Sequence, residues 1–167
     1  MAIAIGERLP EGDLTEMIGS ETPGCTIGPN AFKVSELVQG KRIVIFGVPG
    51  AFTPTCSAKH LPGYVANREK FRAKQVDEIW CVAVNDAFVM EAWGKEQKCA
   101  DKVRMMADGS ATYTKALGLD MDLSARGMGI RSRRYSMFVE DGVVSILNVE
   151  QPGKFEVSDA EAMLRQL

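Results

Sequence analysis

The side chains best placed to do chemistry lie in Pro49-Gly50-Ala51-Phe52-Thr53-Pro54-Thr55-Cys56, a run that carries an apolar strand into a helix and ends on a cysteine. A cysteine attacks as its thiolate, so the question is what would keep Cys56 ionised. Thr53 is a good N-cap whose oxygen accepts from orphan amides, and Pro54 suits the first helical position, where its missing N–H costs nothing. The helix is therefore expected to start at Pro54. Cys56 then sits in the first turn, where unpaired N–H groups and the positive end of the helix dipole favour thiolate over thiol. A hydroxyl one turn from the sulfur can accept from one group and donate to another, which suits a substrate with two adjacent oxygens.

Residues 41–48 form the near-continuous apolar run that a parallel strand buried on both faces requires, and residues 78–84 form a second. Between them, Pro62 and Gly63 should kink or break the first helix near Leu61, and an apolar stripe resumes through Tyr64, Val65, Arg68 and Phe71. So long a crossover implies a parallel pair with a right-handed connection. Asn85-Asp86 can cap a helix carrying Phe88, Val89, Ala92 and Trp93. A short strand over 103–107, a turn at Asp108-Gly109 and a helix from Ser110 to Leu117 follow. Residues 133–140 and 143–149 then alternate about Asp141-Gly142, a two-residue hairpin signal. Ser158, with Glu161 three places on, reads as a capping box that opens the last helix. The first 40 residues, broken by Gly and Pro, read as a small hairpin and a helical turn near Ser35-Glu36-Leu37-Val38.

Hydrophobic residues make up 46% and charged residues 25%, which fits one compact domain over 1–167. A net charge of -2 argues against a nucleic-acid phosphate surface. No apolar run approaches the roughly 20 residues of a membrane span, and the start lacks a basic segment followed by an apolar one, so a cytoplasmic protein is expected. Cys25, Cys56, Cys81 and Cys99 form no Cys-x-x-Cys pair and no zinc spacing, so they read as free thiols. Nothing in the pattern calls for a cofactor or a metal.

Thr53-x-x-Cys56 has the spacing of the redox motif of thioredoxin-like proteins with a hydroxyl in place of the first thiol, so no disulfide can close inside it. Pro49-x-x-x-Thr53-x-x-Cys56 resembles the signature of the peroxiredoxins, and residues 49–63 resemble the type II or peroxiredoxin-5 branch. The likeness extends to residues 84–90, 107–110 and 131–137, and so covers essentially the whole chain. It implies an α/β thioredoxin-like fold, a central mixed sheet flanked by helices with a small N-terminal β extension. It also implies reduction of hydrogen peroxide and small alkyl hydroperoxides through a sulfenic acid on Cys56, with Thr53 orienting the peroxide and Pro49 shielding the sulfur.

A guanidinium near Cys56 would stabilise both the thiolate and the charge on the departing oxygen. Arg126, Arg131, Arg133 and Arg134 are candidates; the family pattern maps its arginine onto Arg134, with Arg131 as the fallback, while Arg126, Arg131 and Arg133 otherwise read as a solvated surface strip. For recycling, the segment 151–157, where animal peroxiredoxin-5 relatives carry a resolving cysteine, has none. Cys81 matches a second cysteine of plant-like members but lies in an apolar strand. A one-cysteine cycle with glutathione and glutaredoxin, or thioredoxin, is therefore favoured over a Cys56–Cys81 bridge. The family likeness further implies an A-type homodimer. His60, four residues after Cys56, admits a cysteine-histidine hydrolase, but no orienting third residue is evident and the sole histidine reads as structural. The alternative function is a thioredoxin-fold redox sensor or disulfide oxidoreductase without peroxidase activity.

Overall fold

The computed structural model describes residues 1–167. Its strands are β1 (Asp13–Ile18), β2 (Gly28–Lys33), β3 (Arg42–Val48), β4 (Glu78–Ala83), β5 (Arg104–Ala107), β6 (Asp120–Asp122), β7 (Ile130–Ser132), β8 (Tyr135–Glu140) and β9 (Val143–Val149). Its α-helices are α1 (Val34–Leu37), α2 (Leu61–Ala66), α3 (Arg68–Ala73), α4 (Ala87–Glu96), α5 (Thr112–Leu117) and α6 (Ala160–Gln166). Seven strands form one mixed sheet in the order β2-β1-β5-β4-β3-β8-β9, and β6 and β7 pair separately. The expected α/β thioredoxin-like architecture is present, with the N-terminal hairpin joined to the sheet edge through β1 and β5. No helix is long and apolar enough to cross a membrane.

Alternation along the two central strands divides the core. Val44, Phe46 and Val48 of β3 and Ile79, Cys81 and Ala83 of β4 share one apolar cluster with side chains of α2, α3, α4 and α6. Ile43 and Ile45, with Trp80 and Val82, share the other with α1 and α5. Both strands are covered on both faces, which is why their sequences read as unbroken apolar runs.

Several local expectations shift. The helix does not break near Leu61; it widens into a π turn over Cys56–His60, in which the Leu61 amide reaches back to the Cys56 carbonyl. Pro62 supplies the reason, because it has no N–H to donate and its ring would crowd the carbonyl four residues back in a straight α-helix. The actual interruption falls at Asn67, between α2 and α3. The last helix opens at Ala160 rather than Ser158, capped by Asp159, whose carboxylate accepts from the Ala162 amide. The helix expected from Ser110 begins at Thr112, after Ala111 in a left-handed conformation, and Asp108 takes the Tyr113 and Thr114 amides. The β6–β7 pair carried too little alternation, at three residues a strand, to be foreseen.

Candidate active site

Register decides what surrounds Cys56. β3 runs parallel to β4 and antiparallel to β8, with Gly47 opposite Tyr135. The end of β3, which feeds the cysteine-bearing turn, therefore lies beside the start of β8, immediately after Arg134. Gly47 makes this approach possible: a Cβ there would overlap the Tyr135 ring. A second tie holds Arg134 from the far side, where the Glu150 amide donates to its carbonyl at 2.9 Å.

The guanidinium bridges two groups. Arg134 Nη2 donates to Cys56 Sγ at 3.2 Å, and Nη1 donates to His60 Nδ1 at 2.9 Å. An arginine offers only donors, so Nδ1 must be the bare nitrogen of a neutral ring. His60 Nε2 then carries the proton and donates to the Ser158 carbonyl at 3.0 Å, beside the Tyr64 hydroxyl, which donates to the same oxygen at 2.8 Å. Burial, the Arg134 charge and, in opposition, the bond to Ser158 bring the His60 pKa down to about 3. His60 makes no hydrogen bond to Cys56, so it is no general base for the sulfur. It is nonetheless part of the site, which residue type alone did not indicate.

Thr53 stands just outside the first turn, but its hydroxyl does not cap the helix. It donates to the Gly50 carbonyl at 2.7 Å, and it is the Thr53 carbonyl that takes the Ser57 amide. With its proton committed, Thr53 Oγ1 is left with acceptor capacity. Phe52, just before it, has φ 63°, a left-handed value that costs a non-glycine residue about 1 kcal/mol. The turn leaves its ring half exposed. Asn85, expected to help cap α4, instead accepts the Ala51 amide at 2.9 Å and tethers the loop to β4; Asp86 alone caps α4.

Of the other arginines, only Arg126 is exposed as expected. Arg131 donates to the Met128 and Pro49 carbonyls, and Arg133 to the Glu150 carbonyl, so both brace backbone rather than face water. Arg131 makes no bond to the sulfur. Pro49 lies one residue beyond β3, half buried, with that carbonyl turned to Arg131.

Cys56 is fully buried, in one cluster with Cys81 and Cys99. Burial, with the neighbouring sulfurs, pushes the Cys81 thiol well above its ordinary range, and burial pushes Cys99 up to about 11. All four cysteines are free. Beneath the site, Phe46 and Tyr64 stack at 4.1 Å and Tyr64 lies over Phe71 at 5.5 Å. Burying each ring contributes about 1.5–3 kcal/mol, so the floor under His60 and Cys56 is stiff. Trp93 closes one wall, its indole N–H donating to Ser57 Oγ at 3.0 Å. The arrangement sets one buried sulfur against a fixed guanidinium, with the Thr53 hydroxyl in the loop that leads to it.

The family model that matches this chain is Redoxin, over residues 4–164. Peroxiredoxin-2C of Oryza sativa subsp. japonica is 46% identical over 165 residues, spanning 99% of this chain and 98% of the rice protein. Reduced Prx3 of Vibrio vulnificus, solved with hydrogen peroxide, has a TM-score of 0.90 at 50% identity and is matched over 98% of both chains. A Burkholderia cenocepacia crystal structure, provisionally named a thioredoxin reductase, has a TM-score of 0.98 at 62% identity, covering 100% of this chain and 99% of that one.

Proposed function

The chain belongs to the redoxin family as a type II peroxiredoxin, a thiol-dependent peroxidase, and we propose that Cys56 is the sulfur that meets peroxide, with Thr53, Arg134 and Pro49 completing its site. The observation that carries this reading is the 3.2 Å bond from Arg134 to Cys56 Sγ. A guanidinium held there stabilises an anion on the sulfur before reaction and on the departing oxygen during it. The Cys56 thiolate attacks one oxygen of the hydroperoxide; the S–O bond forms as the O–O bond breaks. The second oxygen leaves with the electron pair, takes a proton and departs as water or an alcohol, and the sulfur becomes a sulfenic acid. Thr53 Oγ1 accepts from the peroxide O–H and aligns it, and Pro49 shields the sulfur from water. Hydrogen peroxide, the ligand of the Vibrio protein, and small alkyl hydroperoxides are the substrates.

The cycle closes through one cysteine. A thiol attacks the sulfenic sulfur, water leaves, and a second thiol resolves the mixed disulfide. Cys81 is a poor resolver because its thiol is fully buried in β4 and strongly disfavours ionisation. Glutathione with glutaredoxin, or thioredoxin, supplies the thiols. Because Cys56 is equally covered, its turn must open before so bulky a reductant can reach it. A disulfide-reductase reading, which the Burkholderia name would carry over, needs a second thiol at position 53, where this chain has threonine. Exposed Phe52 and Phe88 support an A-type homodimer covering the active-site loops, and the protein works in the cytoplasm as a single domain over 1–167.

Cys56→Ser should abolish hydrogen peroxide reduction in a stopped-flow assay, and retained turnover would reject the assignment. Intact-mass analysis after peroxide and glutathione should show a glutathione adduct; an internal Cys56–Cys81 disulfide would overturn the one-cysteine cycle.

A further inference from the structure

One buried carboxylate has no part in the chemistry so far described. Glu150 follows β9 and is 4% exposed. Its Oε2 receives the Glu156 amide at 2.8 Å, the Val157 amide at 2.9 Å, the Ser158 amide at 3.0 Å and the Ser158 hydroxyl at 2.8 Å. Three successive backbone N–H groups folded about one anion form a nest, a concavity suited to negative charge. The loop so gathered turns two groups toward the site. The Ser158 carbonyl takes His60 Nε2–H and the Tyr64 hydroxyl, and the Phe155 ring lies 5.7 Å from the Arg134 guanidinium and 5.0 Å from the His60 ring. Meanwhile the Glu150 amide fixes the Arg134 backbone.

We propose that Glu150 is a positioning residue for the Cys56 reaction, its carboxylate folding residues 155–158 into the shape that orients His60 and, through His60 and Phe155, aims Arg134 at the sulfur. The proposal rests on Cys56 as the reacting sulfur and Arg134 as its guanidinium. It gives Glu150 a job that is distinct from general stability: without the negative charge, three backbone amides and the Ser158 hydroxyl converge on a weaker acceptor, the loop loosens, and the imidazole that holds one arm of the guanidinium loses its fixed partner. A small displacement of such a donor is enough to be seen in a rate.

The test compares wild type, Glu150→Gln, Arg134→Met and the double variant in single-turnover oxidation by hydrogen peroxide, with circular dichroism verifying the fold of each. Glu150→Gln is expected to slow Cys56 oxidation about tenfold in the wild-type background and less than about twofold in the Arg134→Met background, since a residue acting through Arg134 has nothing left to position. A wild-type rate, or the same fold-loss in both backgrounds, overturns the proposal. Where Glu150→Gln does not fold, Ser158→Ala removes one of the four donors; a rate loss confined to the Arg134-containing background supports the proposal, and an unchanged rate overturns it. Peroxide consumption by Cys56→Ser would instead sink the underlying assignment, whatever Glu150 does.

Discussion

His60 is the only histidine in the chain, so its protonation can be read in the stability of the whole protein. In the unfolded chain its imidazole titrates near 6.5, but folded it resists protonation down to about 3, because burial and the Arg134 charge both oppose a second positive charge. Between those values the unfolded state binds more protons, so the stability contributed by neutral His60 is whole above about pH 6.5 and is lost as pH falls toward 3. At about pH 5 the deficit is a factor of roughly 30 in the folding equilibrium, or about 2 kcal/mol. For a chain of this length that corresponds to a melting temperature lower by about 4–8 °C than at pH 7.5. Glu78 and Glu150, both held below the ordinary carboxylate value of 4.5 despite their burial, begin to contribute only at lower pH, so the window from 7 to 5 belongs to the histidine. Urea denaturation at about pH 7.5 and pH 5 should show the 2 kcal/mol loss in wild type and a nearly flat response in His60→Asn. A change under about 0.5 kcal/mol in wild type would refute a neutral, buried imidazole bonded between Arg134 and Ser158, since that loss lies within the extrapolation error of the method.

Two further outcomes are expected. Thr53→Val and Arg134→Met should each keep the fold and slow Cys56 oxidation by about two or more orders of magnitude, the scale of losing a preorganised polar contact; stopped-flow rates within threefold of wild type would count against either role. Trp93 shares the Cys56 cluster and bonds to Ser57, whereas Trp80 lies on the other face of the sheet, so oxidation should alter the fluorescence of Trp80→Phe protein but leave that of Trp93→Phe nearly constant. The opposite pattern would mean that the sulfur is coupled to the far face.

Much of this protein is legible in its sequence because the determining interactions are local or periodic. Residues 41–48 and 78–84 read as strands buried twice over because sheet burial imposes that composition, and Asp141-Gly142 specifies a hairpin by its own backbone preferences. Thr53-Pro54-Thr55-Cys56 places a cysteine in a first helical turn for the same reason. Pro62 announces a disturbance, but the proline alone does not specify whether the helix breaks or swells into a π turn. Arg134 came from family likeness, since four arginines in nine residues look alike in a string. Only the pairing of Gly47 with Tyr135 selects among them, by bringing the start of β8 to the end of β3. The partners of His60 were the least readable, because Ser158 contributes a backbone carbonyl that any residue could supply, and Glu150 reaches it from 8 positions away. Sequence thus determined which groups could react. Tertiary structure decided which cation, which tautomer and which loop would hold them, because those depend on segments that meet only when the sheet closes.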